Sequence, residues 1–354
     1  MRVNFVSTYK IRCGVATYSE FLTEELKKIT KLRILPIKKP APLSPIYWKW
    51  LAMNARTKSD IIHVQFNYEL FGKSSFWTYF NSLLFFYTIF FLNAFKKIPV
   101  ILTFHEIFPA GRKLVRSTDK IYKRADAFIV HTEEAKKALE ARGYKNIYVV
   151  PHGVYNKPVF LPREECRKKL GLPNKKILTI FGFVNPFKNY EFAFEVLKNL
   201  PKDYFLLIAG GCRIKEDEEY FNKVTTLFKK FPENSKILGF VKDEDQDVVF
   251  NATDIFLFPY KRTTQSGVMS RVFAYKKPCV AAPLTAFKEI NAKYPCLEIA
   301  KDQNDWVGKI KKITTDNKYR ENLITHIDQY YQENNWTNIA KVHESIYEKI
   351  QNQN

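Results

Sequence analysis

Short apolar runs that alternate with segments of helical period leave this chain few folds to choose between. RVNFVST, KLRILPI, DIIHVQF, PVILTFHE, AFIVHT and IYVVPHGV read as strands in the first 154 residues. Helical spacing lies between them: over Val15–Ile29, near Trp48–Arg56, along residues 74–95, near Ser117–Arg124 and over Glu133–Arg142. Strands that are apolar throughout are buried on both faces, which requires a parallel sheet with helices above and below. The rhythm pauses from Tyr155 to Pro162, punctuated by Pro158 and Pro162, and a domain boundary is expected there. It then resumes with KILTIFG, YFLLIAGG, KILGFV, DIFLFPY and CVAAPL as strands. Helices are expected over Tyr190–Leu200, Glu216–Phe231 and Glu244–Ala252, and from Gln303 onward. The 354 residues have room for two such domains, each with its own core. Doubly wound domains bind ligands at the carboxyl ends of their strands.

Charge narrows the partners. The chain carries a net +21, and residues 1–150 hold 25 Lys and Arg against 11 Asp and Glu, a net of +14. Such a balance suits a phosphate-bearing substrate, an anionic lipid surface or a nucleic acid. A nucleic-acid reader needs exposed aromatics among its cations, whereas here the aromatics fall mostly in apolar runs, so no nucleic-acid partner is expected. The five cysteines, Cys13, Cys166, Cys212, Cys279 and Cys296, are dispersed and form no C-x-x-C, as in a reduced cytosolic protein without disulfides. The opening MRVNFVSTYK has no apolar segment of export length, which sets a cytoplasmic expectation. Residues 74–95, SSFWTYFNSLLFFYTIFFLNAF, carry no charge and as a helix would measure about 33 Å. Spanning is disfavoured, because PVILTFHE begins four residues later and belongs to one sheet with DIIHVQF. A buried or interfacial helix is expected, with Thr78, Asn81, Ser82 and Thr88 near one face.

Several polar residues stand at strand ends. In Asp254–Pro278 the apolar run DIFLFPY leads through Lys261, Arg262, Thr263, Thr264 and Gln265 to Ser266-Gly267 and an apolar helix. A helix starting at Ser266 would offer free N–H groups and its positive dipole end to an anion, most often a phosphate, while the plainer alternative is a serine-capped loop. Lys188, in FGFVNPFKNYE, stands at a comparable junction and suits a diphosphate, with a solvated surface lysine as the default alternative. His63, His105, His131 and His152 sit in or just after strands without an i,i+4 or H-x-H pair, so no metal site is expected. His105-Glu106 closes a strand where side chains emerge at the sheet edge, whereas His63 and His131 read as core histidines.

Together these stretches resemble a retaining glycosyltransferase of the GT-B fold, family 4 (group 1) type. The resemblance rests on CGVATYSEFLTEEL, DIIHVQFNYELFG, VILTFHE, ADAFIVHTEEAKKAL with VVPHGV, FGFVNPFKNYE, DIFLFPY with SGV and KKPCVA, and NNWTNIAKVHESIYEKI. It implies an α/β fold of two Rossmann-like domains facing each other across a cleft. Residues 1–155 would form an acceptor-side domain and 156–334 a nucleotide-sugar domain, with 335–354 a helix crossing back to the first. Gly14 and Val15 would underlie the donor diphosphate and the acceptor, and Arg12 and Glu106 would lie on the acceptor side. His105 matches a histidine that contacts the donor sugar, and Lys188, after Gly182, matches the lysine that holds the diphosphate. Phe240 and Val241 follow Gly239 in the segment whose backbone reads the base. Thr264, Gln265, Ser266, Gly267 and Val268 match the turn and helix start that receive the phosphates, with Arg262 and Arg271 as further cations.

The match departs from the family pattern in two places. Phe183 stands where an arginine usually accompanies the lysine, and Thr263 and Arg271 stand where the family carries an E-x7-E pair. In this the chain resembles a Ser-Gly-Val subgroup without those glutamates. The resemblance implies transfer of a sugar from a UDP- or GDP-linked donor to a glycan or lipid-linked acceptor with retention, and with neither cofactor nor catalytic metal. His105, Lys188 and Arg262 are the expected catalytic residues. Peripheral contact with an anionic membrane, at its inner face, is the accompanying expectation. A GT-B-shaped binding or partner subunit without transferase activity is the alternative.

Overall fold

The computed structural model describes residues 1–11, 13–67, 70–72, 75–107, 113–212, 217–263 and 265–353, and at residues 75 and 113–117 the backbone alone. The chain divides into two compact units, Met1–Gly153 with Asn334–Asn354, and Val154–Glu333.

Unit 1 begins with β1 (Arg2–Ser7), α1 (Gly14–Ile29), β2 (Lys31–Pro36), α2 (Pro45–Arg56) and β3 (Ile61–Phe66). It continues through α3 (Ser75–Leu92), β4 (Val100–Phe104), α4 (Lys113–Tyr122), β5 (Ala127–Val130), α5 (Glu133–Glu140) and β6 (Ile147–Val149). The strands form one parallel sheet in the order β2-β1-β3-β4-β5-β6. Every residue of β3, β4 and β5 is buried, His63 and Gln65 of β3 included. The chain steps one way from β1 to β2 and the other way ever after. Right-handed crossovers therefore put α1 on one face and α2 to α5 on the other. The core divides accordingly. Trp48, Phe66, Phe85, Phe86 and Tyr122 pack on one side, and Phe5, Tyr18, Leu22 and Ile129 on the other.

Unit 2 contains α6 (Arg163–Lys169), β7 (Lys176–Phe181), α7 (Tyr190–Lys198), β8 (Tyr204–Ala209), α8 (Glu218–Phe228), β9 (Ser235–Ile237) and α9 (Gln246–Ala252). Then follow β10 (Ile255–Phe258), α10 (Gly267–Ala274), β11 (Cys279–Ala281), α11 (Thr285–Lys293), β12 (Glu298–Ile299), α12 (Gln303–Thr315) and α13 (Asn317–Glu333). Its sheet is also parallel, in the order β12-β11-β10-β7-β8-β9. Three of these elements carry no readable pattern. The seven-residue α6, REECRKK, buries only Cys166 and Arg167, β12 has two residues, and the buried side chains of α11 are Ala286 and Phe287.

The last helix, α14 (Trp336–Asn352), belongs to unit 1 and buries Trp336, Ile339, Ala340, Ile346, Tyr347 and Ile350 beside Tyr18, Leu22 and Leu26 of α1. Its indole lies so close to Gly153 that a Cβ there would fall 2.4 Å from the ring, so this position admits only glycine.

Among the described residues, no helix is long and apolar enough to cross a membrane. In α3 the polar stripe points inward. Asn81 and Ser82 are fully buried, as are Phe85, Phe86 and Ile89.

Candidate functional site

In an open parallel sheet, ligands gather where the strand order reverses, beyond the carboxyl ends of the two strands that flank the reversal. In unit 2 those strands are β7 and β10. β7 ends at Phe181 and passes into Gly182 at φ +92°, a conformation that favours glycine. A Cβ on Gly182 would lie 2.8 Å from Lys188 Nζ and 3.4 Å from Val268 Cγ2, so three sequence-predicted residues converge at one point. Lys188 closes the 3-10 turn Pro186–Lys188 and is 8% exposed. Its ammonium donates to the Phe181 carbonyl at 2.5 Å and lies 5.8 Å from the centre of the Tyr260 ring. Burial lowers its pKa from 10.5 to about 7. An anion arriving beside Nζ would restore the charge.

β10 leads to the second half of this site. The Lys261 amide donates to the Phe187 carbonyl at 2.8 Å, tying the loop after β10 to the lysine turn. Arg262 is exposed, with its guanidinium carbon 3.5 Å from the centre of the Phe187 ring. Ser266 caps α10 by accepting from the Met269 amide at 3.2 Å. Gly267 and Val268 open that helix, and their amides belong to its first turn. Thr263 donates to the Gln265 carbonyl at 2.6 Å. Thr264 lies outside the described residues. Arg271 lies over the Tyr155 ring at 4.3 Å.

Beside β8 and β9, Gly211 sits against Phe240, where a Cβ would come 2.9 Å from the Phe240 amide nitrogen. Phe240 and Phe183 are 48% and 38% exposed, with ring centres 6.3 Å apart and planes at 26°. Phe183, the residue in place of an arginine, thus presents an aromatic face next to the predicted base-reading segment. Val241 is partly buried against Leu207 and Val249.

In unit 1 the strand order reverses between β1 and β3. Gly14 opens α1 directly after this edge, with nothing within 4 Å of a Cβ built on it, and Val15 is buried. Arg12 lies outside the described residues. His105 follows β4 and Glu106 is exposed beside it. The His105 ring packs edge-on to Tyr18 at 4.8 Å and lies 5.1 Å from His131. Its Nε2 is 2.7 Å from Gln65 Oε1, and Gln65 Nε2 is 3.0 Å from His63 Nε2. His63 in turn meets Thr103 Oγ1 at 2.7 Å and the Tyr347 hydroxyl at 2.6 Å. With the Gln65 amide so oriented, its oxygen accepts from His105 Nε2–H, and Nδ1 is the unprotonated ring nitrogen. Burial holds the His105 pKa well below 6.5, with His131, His152 and His63 adding repulsion to any charge.

Sequence reasoning did not single out Gln65, Tyr18 or Tyr260. Gln65 carried a usable signal, because a glutamine inside a strand buried on both faces must find partners there. His63 is fully buried, as expected of a core histidine, whereas His131 is only partly buried. Among the described residues, no group of three or more His, Cys, Asp or Glu side chains could hold a metal ion.

Two family models match this chain. Residues 162–329 match the one described as glycosyl transferases group 1, and residues 12–155 the one described as glycosyltransferase family 4. No protein of curated function matches the sequence. Solved structures share the fold at low identity. HepE from Anabaena, in complex with UDP, is 14% identical, with 98% of this chain and 99% of that one covered at a TM-score of 0.76. A glycosyltransferase from Rickettsia africae is 15% identical, with 100% and 99% covered at 0.75. Sucrose-phosphate synthase from Thermosynechococcus elongatus is 14% identical, with both chains covered in full at 0.74. The two matched segments take up most of the sequence and each coincides with one Rossmann-like unit, so the chain belongs to the group 1 glycosyltransferases of the GT-B fold.

Proposed function

We propose that this protein transfers a sugar from a nucleoside-diphosphate donor to a hydroxyl of a glycan or lipid-linked acceptor, with retention at the anomeric carbon. The observation that carries the reading is the convergence of Gly182, Lys188 and Val268 where the strand order of unit 2 reverses, beside the capped start of α10. That arrangement suits a diphosphate. Lys188 Nζ and the first-turn amides of α10 would hold its oxygens, and Arg262, stacked on Phe187, would add charge from the loop. Structures of Anabaena HepE with UDP and with UDP-glucose support a nucleotide-sugar donor for this fold.

In this reading the bond between the anomeric carbon and the diphosphate oxygen breaks, and a bond to the acceptor oxygen forms on the same face. The acceptor proton leaves with the diphosphate. Lys188 and the α10 amides stabilise charge as it builds on the leaving group, so the protein contributes chiefly position and electrostatics. Neutral His105, held by Gln65, offers a hydrogen bond to the transferred sugar, while Gly14 and Glu106 serve the acceptor side. The exposed faces of Phe183 and Phe240 receive the base. No metal takes part in this scheme.

The test is turnover. With a panel of UDP- and GDP-sugars and a glycolipid extract as acceptor, nucleoside diphosphate should be released from one donor, with an anomeric product of unchanged configuration. Failure of every donor, with intact nucleotide binding, would instead favour a GT-B-shaped binding subunit.

A further inference from the structure

Helix α3 is apolar on its outer face as well as on its buried one. Its buried face holds Asn81, which donates to the Phe71 carbonyl at 2.8 Å, and Ser82, whose hydroxyl lies 2.8 Å from that of Tyr122. Its outer face holds Phe76, Phe80, Tyr87 and Phe91, exposed by 64, 39, 57 and 54%. At 100° per residue these four positions fall within about 60° of one another. Phe76 stacks on Phe80 at 6.2 Å and Tyr87 on Phe91 at 6.3 Å, forming a ladder of rings. Helix α2 repeats the pattern with Ile46, Trp50 and Met53, exposed by 78, 55 and 58% and again on one stripe.

The two helices lie side by side. Arg56, ending α2, donates to the Ile89 and Leu92 carbonyls near the end of α3, and Asn81 of α3 reaches the Pro42 carbonyl just before α2. Both cover the same face of the sheet, so both stripes open on the side away from it. Scattered exposed apolar side chains are ordinary, but seven in register on adjacent helices form an interaction surface.

Charge identifies what covers it. From Ile37 to Lys58 there are five cations, Lys38, Lys39, Lys49, Arg56 and Lys58, and no carboxylate. From Ser75 to Lys97 there are Lys96 and Lys97, again without a carboxylate. The lysines of both segments are exposed. A second copy of this face would bring one cation rim onto an identical one. An anionic bilayer takes both features at once, with rings at the headgroup boundary and ammonium groups on the lipid phosphates. We propose that the α2–α3 face of unit 1 docks on an anionic lipid bilayer without spanning it. This stands independently of the donor and of the reaction.

The full chain is sedimented with vesicles of phosphatidylcholine alone and with about 30% phosphatidylglycerol, at low salt and at about 0.5 M salt. The wild type should bind the anionic vesicles at least tenfold more tightly and lose most of that binding at high salt. Ile46→Ser with Trp50→Ser and Met53→Ser, and separately Phe80→Ser with Phe91→Ser, should each weaken binding at least tenfold. Because these positions are exposed, their melting temperatures should match the wild type. Lys38→Glu with Lys39→Glu and Lys49→Glu should abolish the preference for anionic lipid. Wild type that ignores both vesicles, or serine variants that bind as well as wild type, would overturn the proposal. So would a dimer in sedimentation velocity that the serine variants split.

Discussion

Replacing Lys188 by methionine removes a buried ammonium that donates to the Phe181 carbonyl at 2.5 Å. Burial takes its pKa from 10.5 to about 7, a gap that corresponds to about 5 kcal/mol against the charged form. Methionine fills similar space without the charge and leaves the Phe181 carbonyl without that hydrogen bond, a loss of about 1–2 kcal/mol. The variant should therefore be more stable at pH 7 by about 3 kcal/mol, and its melting temperature should rise by about 6 °C or more. The pH dependence gives an independent check. Between pH 7 and 10 the unfolded chain keeps a proton on Lys188 that the folded chain has released, so wild-type stability rises with pH by up to about 1.4 kcal/mol per unit. Below pH 7 both states carry the proton and that contribution is gone. Urea melts of both proteins at pH 7 and pH 9 measure the difference, which should shrink as pH rises. A variant no more stable than wild type at pH 7, or two parallel pH profiles, would refute the reasoning. The gain in stability should come with loss of nucleotide binding, as expected of a site kept for function.

Three further outcomes are expected. Gly182→Ala should lower kcat/KM at least tenfold while the protein still folds, because its Cβ would lie 2.8 Å from Lys188 Nζ at a backbone φ of +92°; donor-dependent kinetics beside a melting curve check this. Gln65→Leu should cost about 1–3 kcal/mol in stability and lower kcat more than it raises KM, since His105 and His63 both lose their bond to that amide; nitrogen NMR of the His105 ring should show loss of the single tautomer. Acid should weaken unit 1, because burial holds His152 and His343 at about 4 and His131 at about 3, all below the unfolded value of 6.5. Their neutral forms stabilise the fold above pH 6.5, and acidification from pH 7 to 5 should remove about 2 kcal/mol per histidine, read from urea melts.

The strand runs were legible because most are short and largely apolar and bounded by turns, and β3, DIIHVQF in the sequence, emerges as the fully buried Ile61–Phe66. Lys188 and Ser266 could be flagged because a cation and a cap residue at strand-to-helix junctions carry a local chemical signal. What surrounds them could not be read locally. The Tyr260 ring near Lys188 comes from the loop after β10, far along the chain, and the bond from His63 to Tyr347 joins residues 284 positions apart. The orientation of α3 was hidden for a different reason. Apart from the narrow stripe of Thr78, Asn81, Ser82 and Thr88 both of its faces are apolar, and the bonds of Asn81 and Ser82 to Phe71 and Tyr122 turn that stripe inward. The apolar stripe on α2 escaped notice because it is only three residues wide and has meaning only beside α3.

The central claim is that the turn around Gly182 and Lys188, with the start of α10, holds a nucleoside diphosphate. Calorimetric titration of UDP and GDP into wild type and Lys188→Ala, in two buffers of different ionisation heat at pH 8, tests it directly. Wild type should bind one of the two nucleotides and take up nearly one proton as Lys188 regains its charge, because its pKa in the empty site is about 7. The alanine variant should bind at least fifty-fold more weakly and take up none. Equal binding by both proteins, or binding by wild type without proton uptake, would contradict the account.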